Sequence, residues 1–275
     1  MKPNCVGLIG VGLLGSAIAQ RLTNAGMQVF AFDLDRSCLT NLDATSSAAE
    51  VVEKCDAVIL SLPDSHVVAT VINEIRPSLR ADSIIIDTTT GDPLRTADIA
   101  QGLRYVDATI AGSSAQAAAG EVIAMAGGAE EDFAVARPIL ETFCRQIFHL
   151  GPVGAGARMK LVVNLVIGLN RAVLAEALGL ASHCGMNLET TLEVLQSCPA
   201  YSAVMDTKGH KMIEGDFTPQ ARLSQHLKDV RLINQLAEAT QAGTPLSQLH
   251  QSLLSELEQA GFGQEDNSAI FRAFQ

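Results

Sequence analysis

The sequence predicts an α/β unit built on a doubly wound parallel sheet, followed by a long helix and an all-α unit. Three observations carry this. Short apolar runs alternate with helical patterns as far as a glycine-crowded stretch at 151–156, and beyond that stretch only helical patterns occur. A chain of 275 residues that is 48% hydrophobic also has the apolar content to bury the cores of two modest domains.

Residues 6–9 are a first strand, entered at once from the N-terminal MKPNC, which leaves no room for a signal peptide and leads us to expect a cytoplasmic protein. The strand runs into Gly10-Val11-Gly12-Leu13-Leu14-Gly15, then a helix that Gly26 ends, then a strand closed by Asp33. A glycine loop between strand and helix has the context of a dinucleotide-binding turn. Gly10 permits the tight turn, Gly12 lets the backbone approach a pyrophosphate, and Gly15 lets helix and strand pack closely. The N–H groups around Leu13 and Leu14 face the anion, and the Asp33 carboxylate takes the ribose hydroxyls. The expected cofactor is therefore NAD; Arg36, three residues on, keeps NADP open because it offers a partner for a 2′-phosphate.

Further strands are expected at 57–62, 83–87, 104–108 and 122–126, with helical segments near 36–42, 47–54, 65–78, 93–101 and 130–143. Loops at the carboxyl ends of such strands face the ligand. Here they carry Leu62-Pro63-Asp64, Thr88-Thr89-Thr90-Gly91 and Ala111-Gly112-Ser113-Ser114. Small and hydroxyl residues suit a crowded cofactor cleft, and are equally ordinary in loops.

Gly151, Pro152, Gly154 and Gly156 break the chain, and from Arg158 onward strong helix formers run to a left-handed cap at Gly185. A helix apolar nearly all round should be buried on several sides, so its polar groups are satisfied or functional. Lys160 and Asn164 lie four apart on one face, where an ammonium beside a carboxamide can hold and reprotonate an oxygen. After Gly185, helices are expected from Asn187, from Ser202 to Ile213, from Thr218-Pro219 to Gly243, and from Thr244-Pro245 onward. Lys228-Asp229 interrupts an apolar helix, a pattern that by itself reads as a solvated face.

Composition also excludes partners. A formal net charge of −11 without any basic block argues against nucleic acid. Asn164, Asn170 and Arg171 break the longest apolar run and argue against a membrane span. Six cysteines without paired spacing argue against disulfides and against a structural metal.

Taken together, Gly10-x-Gly12-x-x-Gly15, Asp87-x-Thr-Thr-x-x-Pro93, Asp107-Ala-Thr-Ile-Ala-Gly112, Gly154-x-Gly156-x-x-x-Lys160-x-x-x-Asn164 and Lys228-Asp229 resemble the β-hydroxyacid dehydrogenase family. That family includes 3-hydroxyisobutyrate dehydrogenase, tartronate semialdehyde reductase and 6-phosphogluconate dehydrogenase. The resemblance implies a Rossmann domain over 1–156, an interdomain helix over 157–185 and an all-α substrate and dimerisation domain over 186–275, assembled as a homodimer or homotetramer. It implies Lys160 as general acid/base, Asn164 as its substrate-positioning partner, Thr90 beside the cofactor and Lys228 closing over it. The substrate, a small β-hydroxy acid or its semialdehyde or keto acid, would lie near Gly112, Ser113 and Ser114.

Two positions depart from the family pattern. Ala111 stands where a serine hydroxyl usually helps hold substrate, and Val163 where a second asparagine is common. Two other readings stay open at this level: a dinucleotide-binding sensor or scaffold without turnover, and a family reductase with a non-acid substrate.

Overall fold

The computed structural model describes residues 5–275. The chain divides into two compact units, Met1–Lys160 and Leu161–Gln275.

The first unit is one eight-stranded sheet: β1 (Cys5–Ile9), β2 (Gln28–Phe32), β3 (Asp43–Ala44), β4 (Ala57–Leu60), β5 (Ile84–Asp87), β6 (Arg104–Ala111), β7 (Val122–Gly127) and β8 (Cys144–His149), in the order β3-β2-β1-β4-β5-β6-β7-β8. All neighbours are parallel except β6 and β7, which pair antiparallel with Ala108 opposite Ala126. The all-parallel expectation fails there because the connection from Ala111 to Val122 is too short for a crossover. Helices α1 (Leu13–Asn24), α2 (Ala48–Lys54), α3 (Ser65–Ile75), α4 (Pro93–Ile99), α5 (Ser114–Ala119) and α6 (Glu130–Leu140) complete the unit.

Alternation along the strands makes two cores. Ile59, Ile84 and Ile86 join Leu8, Ile18 and Leu22 in one cluster, while Val58, Leu60 and Ile85 join Val51, Ile72 and Ile75 in another. Successive side chains of a strand point to opposite faces, so continuous apolar runs such as AVIL and IIID fit a sheet covered on both sides. The edge strands β3 and β8 fall outside the expected set, since they are largely solvent-facing and lack that apolar signature.

Helix α7 (Ala155–His183) begins in the first unit and continues into the second, where α8 (Leu188–Gln196), α9 (Ala203–Glu214), α10 (Leu223–Thr240) and α11 (Pro245–Gln259) follow. Leu174, Leu178, Met212, Leu227, Leu254 and Phe271 share the core of the second unit. Two expectations change here. Thr218-Pro219 does not start a helix: the Asp266 carboxylate takes the backbone N–H groups of Gln220 and Ala221, and Leu223 N–H donates to Glu265 O, holding this segment extended until α10. Nor is α7 buried on several sides within the chain, because Val162, Val166, Val173 and Leu180 are exposed.

Candidate active site

The turn after β1 is shaped by backbone crowding. Gly10 has φ +93°, and a Cβ there would stand 2.3 Å from Ser61 O; a Cβ on Gly15 would stand 2.1 Å from Gly10 O. A Cβ on Gly12, by contrast, meets no protein atom within 4 Å, so its surface is open to a ligand. Gly12 is the N-cap of α1 and gives it no side-chain cap, which leaves the helix start suited to an anion. Asp33, just past β2, accepts from Val11 N–H at 2.6 Å and Asp35 N–H at 2.8 Å, which ties the loop and leaves each carboxylate oxygen capacity for a further donor. Leu34 beside it is 90% exposed, an apolar surface that a flat purine can cover. These residues fit a dinucleotide. Arg36 is turned away toward Thr45, to whose carbonyl it donates.

Leu62, Pro63, Thr90, Gly112, Ser113 and Ser114 follow the carboxyl ends of β4, β5 and β6, at the same edge of the sheet as the glycine loop. The loop after β5 is fixed from below. Asp87, wholly buried, accepts from Thr89 N–H and from Tyr105 Oη at 2.6 Å, and Thr89 Oγ1 accepts from Leu62 N–H. Burial pushes the Asp87 carboxyl up, and burial together with the Asp87 charge pushes the Tyr105 hydroxyl well up.

At 111–116, where the substrate is expected, one of the backbone donors is already used. Ser113 caps α5: its Oγ accepts from Gln116 N–H, and its own N–H donates to Gln116 Oε1 at 2.8 Å. The Ser113 N–H is therefore already engaged, although the hydroxyl keeps its proton for donation. Gln116 was not singled out by the sequence reading; the S-x-x-Q spacing was the available signal.

On α7, Lys160 is half-buried, and Asn164 lies one turn on. Within the second unit, Asn164 Nδ2 donates to Asp229 Oδ2 at 2.9 Å, and Asp229 lies 3.3 Å from the Lys228 ammonium. The Lys-Asp dipeptide thus does more than line a solvated face: buried Asp229 orients the Asn164 amide, a role its position beside Lys228 did not reveal.

Models of two domains cover nearly the whole chain: the NAD-binding domain of 6-phosphogluconate dehydrogenase matches residues 5–151, and the NAD-binding domain of NADP-dependent 3-hydroxyisobutyrate dehydrogenase matches 154–274. A 2-(hydroxymethyl)glutarate dehydrogenase of Eubacterium barkeri is 31% identical over 98% of this chain and 94% of its own. Two 3-hydroxyisobutyrate dehydrogenase structures are similar throughout. That from Salmonella typhimurium shares 26% identity at a TM-score of 0.90, covering 98% of this chain and 99% of its own. That from Mycobacterium tuberculosis, solved with L-serine, shares 25% at 0.91, covering both chains completely. The glycine turn, the carboxylate closing β2 and the helical second unit define a nicotinamide-dependent oxidoreductase, and the chain belongs to the β-hydroxyacid dehydrogenase family. It is an NAD(P)-dependent hydroxyacid dehydrogenase, which sets aside the reading of a binding protein without turnover.

Proposed function

We propose that the protein interconverts a 2-substituted 3-hydroxypropanoate and its semialdehyde, with Lys160 as general acid/base. The observation that carries this is a half-buried lysine on the start of α7, which is anchored to the strands whose loops would hold the cofactor. The substrate class follows the names of some of the relatives. 2-(Hydroxymethyl)glutarate, 3-hydroxyisobutyrate and L-serine all contain a CH2OH group on the carbon next to a carboxylate. Other relatives are L-threonate dehydrogenases, named for a hydroxy acid without that arrangement, and that acid belongs in the assay panel.

When bound, the nicotinamide supplies the carbon that takes or returns the hydride. Lys160 gives a proton to the substrate oxygen during reduction and takes it back during oxidation. Asn164, oriented by Asp229, holds the same oxygen. Gly112 N–H and the Ser113 hydroxyl receive the carboxylate, with Ser114 next in the loop. Thr90, Leu62 and Pro63 border the cofactor.

NAD is the preferred cofactor in this reading. A carboxylate at Asp33 repels a 2′-phosphate, and Arg36 is occupied at Thr45. The working assembly is a homodimer or homotetramer in the cytoplasm. Met159, Val166, Val173 and Leu180 recur every seven residues on α7 and are all exposed, an apolar stripe suited to a second copy of the helix.

The decisive experiment is Lys160→Ala, assayed by nicotinamide absorbance on a panel of 3-hydroxy acids, with cofactor affinity titrated by fluorescence. Turnover should fall on the order of a hundredfold or more while the cofactor Kd holds. Wild-type turnover in the variant would remove Lys160 from the chemistry.

A further inference from the structure

Helix α7 cannot cap itself. Its first intrahelical bond runs from Arg158 N–H to Gly154 O, which makes Gly154 the N-cap and Ala157 the third helical residue. In an ordinary capping box the side chains at those two positions exchange bonds with each other's backbone N–H. Here one has no side chain and the other only a methyl group.

Asp107, on β6, does the work of both. Its Oδ1 accepts from Gly154 N–H and its Oδ2 from Ala157 N–H, each at 2.7 Å. Thr109, two residues along the same strand, donates from Oγ1 to Gly156 O at 3.0 Å. The surrounding glycines make room for the fit: a Cβ on Gly156 would stand 2.3 Å from Met125 O, and one on Gly127 2.7 Å from Asp107 Oδ1. The start of α7 is thus seated in a socket between β6 and β7. Lys160 lies three residues beyond Ala157, about 4.5 Å along the axis by the helical rise.

We propose that Asp107 is a positioning residue for the reaction: by capping α7 from a neighbouring strand, its carboxylate fixes the turn that presents Lys160 to the substrate. This deepens, and rests on, the reading of Lys160 as the acid/base group.

An ionised carboxylate can accept both N–H groups and is favoured by the helix dipole, whereas a protonated one turns an O–H toward a donor. Burial raises the Asp107 carboxyl to about 7, against the pull of the two N–H bonds and with a further push from the Asp87 charge. The titratable groups that face it are Asp87 on β5 and Tyr105 on β6; β7 presents Gly127 backbone. Acidification through about pH 7 therefore releases the cap.

The test runs in the reduction direction, where Lys160 must be protonated and lower pH cannot disable it. Wild-type kcat should fall as pH drops below about 7. Asp107→Asn, whose amide can accept only one of the two bonds, should lower kcat at pH 8 roughly ten- to a hundredfold and lose that acid limb, with cofactor Kd within about twofold. On a Lys160→Ala background the same change should cost no more than about twofold, because the residue acts through Lys160. An equal loss in both backgrounds, or an unchanged kcat in Asp107→Asn, overturns the proposal. If Lys160→Ala is inactive while Asp107→Asn is normal, the positioning role alone fails; if Lys160→Ala turns over normally, both fall. Should Asp107→Asn not fold, Thr109→Val removes one bond of the same socket, and kcat should drop a few-fold at unchanged Kd. An unchanged kcat there overturns the proposal as well.

Discussion

At residue scale, the candidate site's polar groups are held by partners both near and far in the chain. Lys160, Asn164 and Lys228 stand out in the sequence because they fall in family spacing, and Gln116 holding Ser113 follows an S-x-x-Q spacing, but Asp229 holding Asn164 joins residues 65 apart, which no local pattern reveals. Asp229→Ala should therefore raise KM and lower kcat together, for a loss of roughly thirtyfold in kcat/KM, since losing a bond to a charged acceptor costs about 2 kcal/mol. Steady-state kinetics on the best substrate of the panel would check it, and unchanged parameters would remove Asp229 from the site. Ser113→Ala should raise the KM for that substrate, whereas Ala111→Ser should be neutral or beneficial; a KM unmoved by Ser113→Ala would place the carboxylate contact elsewhere.

At element scale, two glycines of one motif carry different burdens, and substitution separates them. Gly12 has φ −69° and open space around its missing Cβ, so Gly12→Ala should melt within a degree or two of wild type while its methyl group obstructs the pyrophosphate and weakens NAD binding. Gly15→Ala drives a carbon into Gly10 O and should lose stability, by about 1 to 3 kcal/mol, as well as affinity. Calorimetry and cofactor titration on the pair would detect the difference; equal stability losses would contradict it. The glycine spacing makes both residues legible, but only the backbone geometry tells which is steric. The late start of α10 was illegible for a related reason, since it follows from a contact between distant segments, Asp266 with Gln220 and Ala221, whereas the antiparallel β7 was signalled by its short connection from β6.

At the scale of the molecule, the two units answer acid in opposite directions. In the helical unit, buried His226 and His250 pack together against Gly168 with ring centroids 5.2 Å apart, and burial with the nearby Arg171 charge holds His226 well below its usual value and His250 at about 4. A histidine depressed in the folded state binds its proton more readily unfolded, so stability is present above about pH 6.5 and is lost as pH falls toward 4. Asp107 has the opposite sign: raised to about 7, it favours the folded first unit as pH falls from there toward the ordinary carboxylate range. Between pH 7 and 5, amide protection factors, corrected for the intrinsic pH dependence of exchange, should fall in α10 and α11 before they do in β4 and β5. Retained protection in the helices would refute this. The overall division into an α/β and a helical unit was legible from where strand-like runs cease; these buried charges were not, because burial is a property of the assembled core.

The socket beneath α7 also ties the start of the helix to the sheet. Asp107 precedes residues 154–157 in the chain, and the first turn of the helix takes its acceptor for Gly154 and Ala157 from β6. The turn that carries Lys160 is therefore capped through the sheet rather than by its own side chains, so its geometry depends on how well that strand is seated.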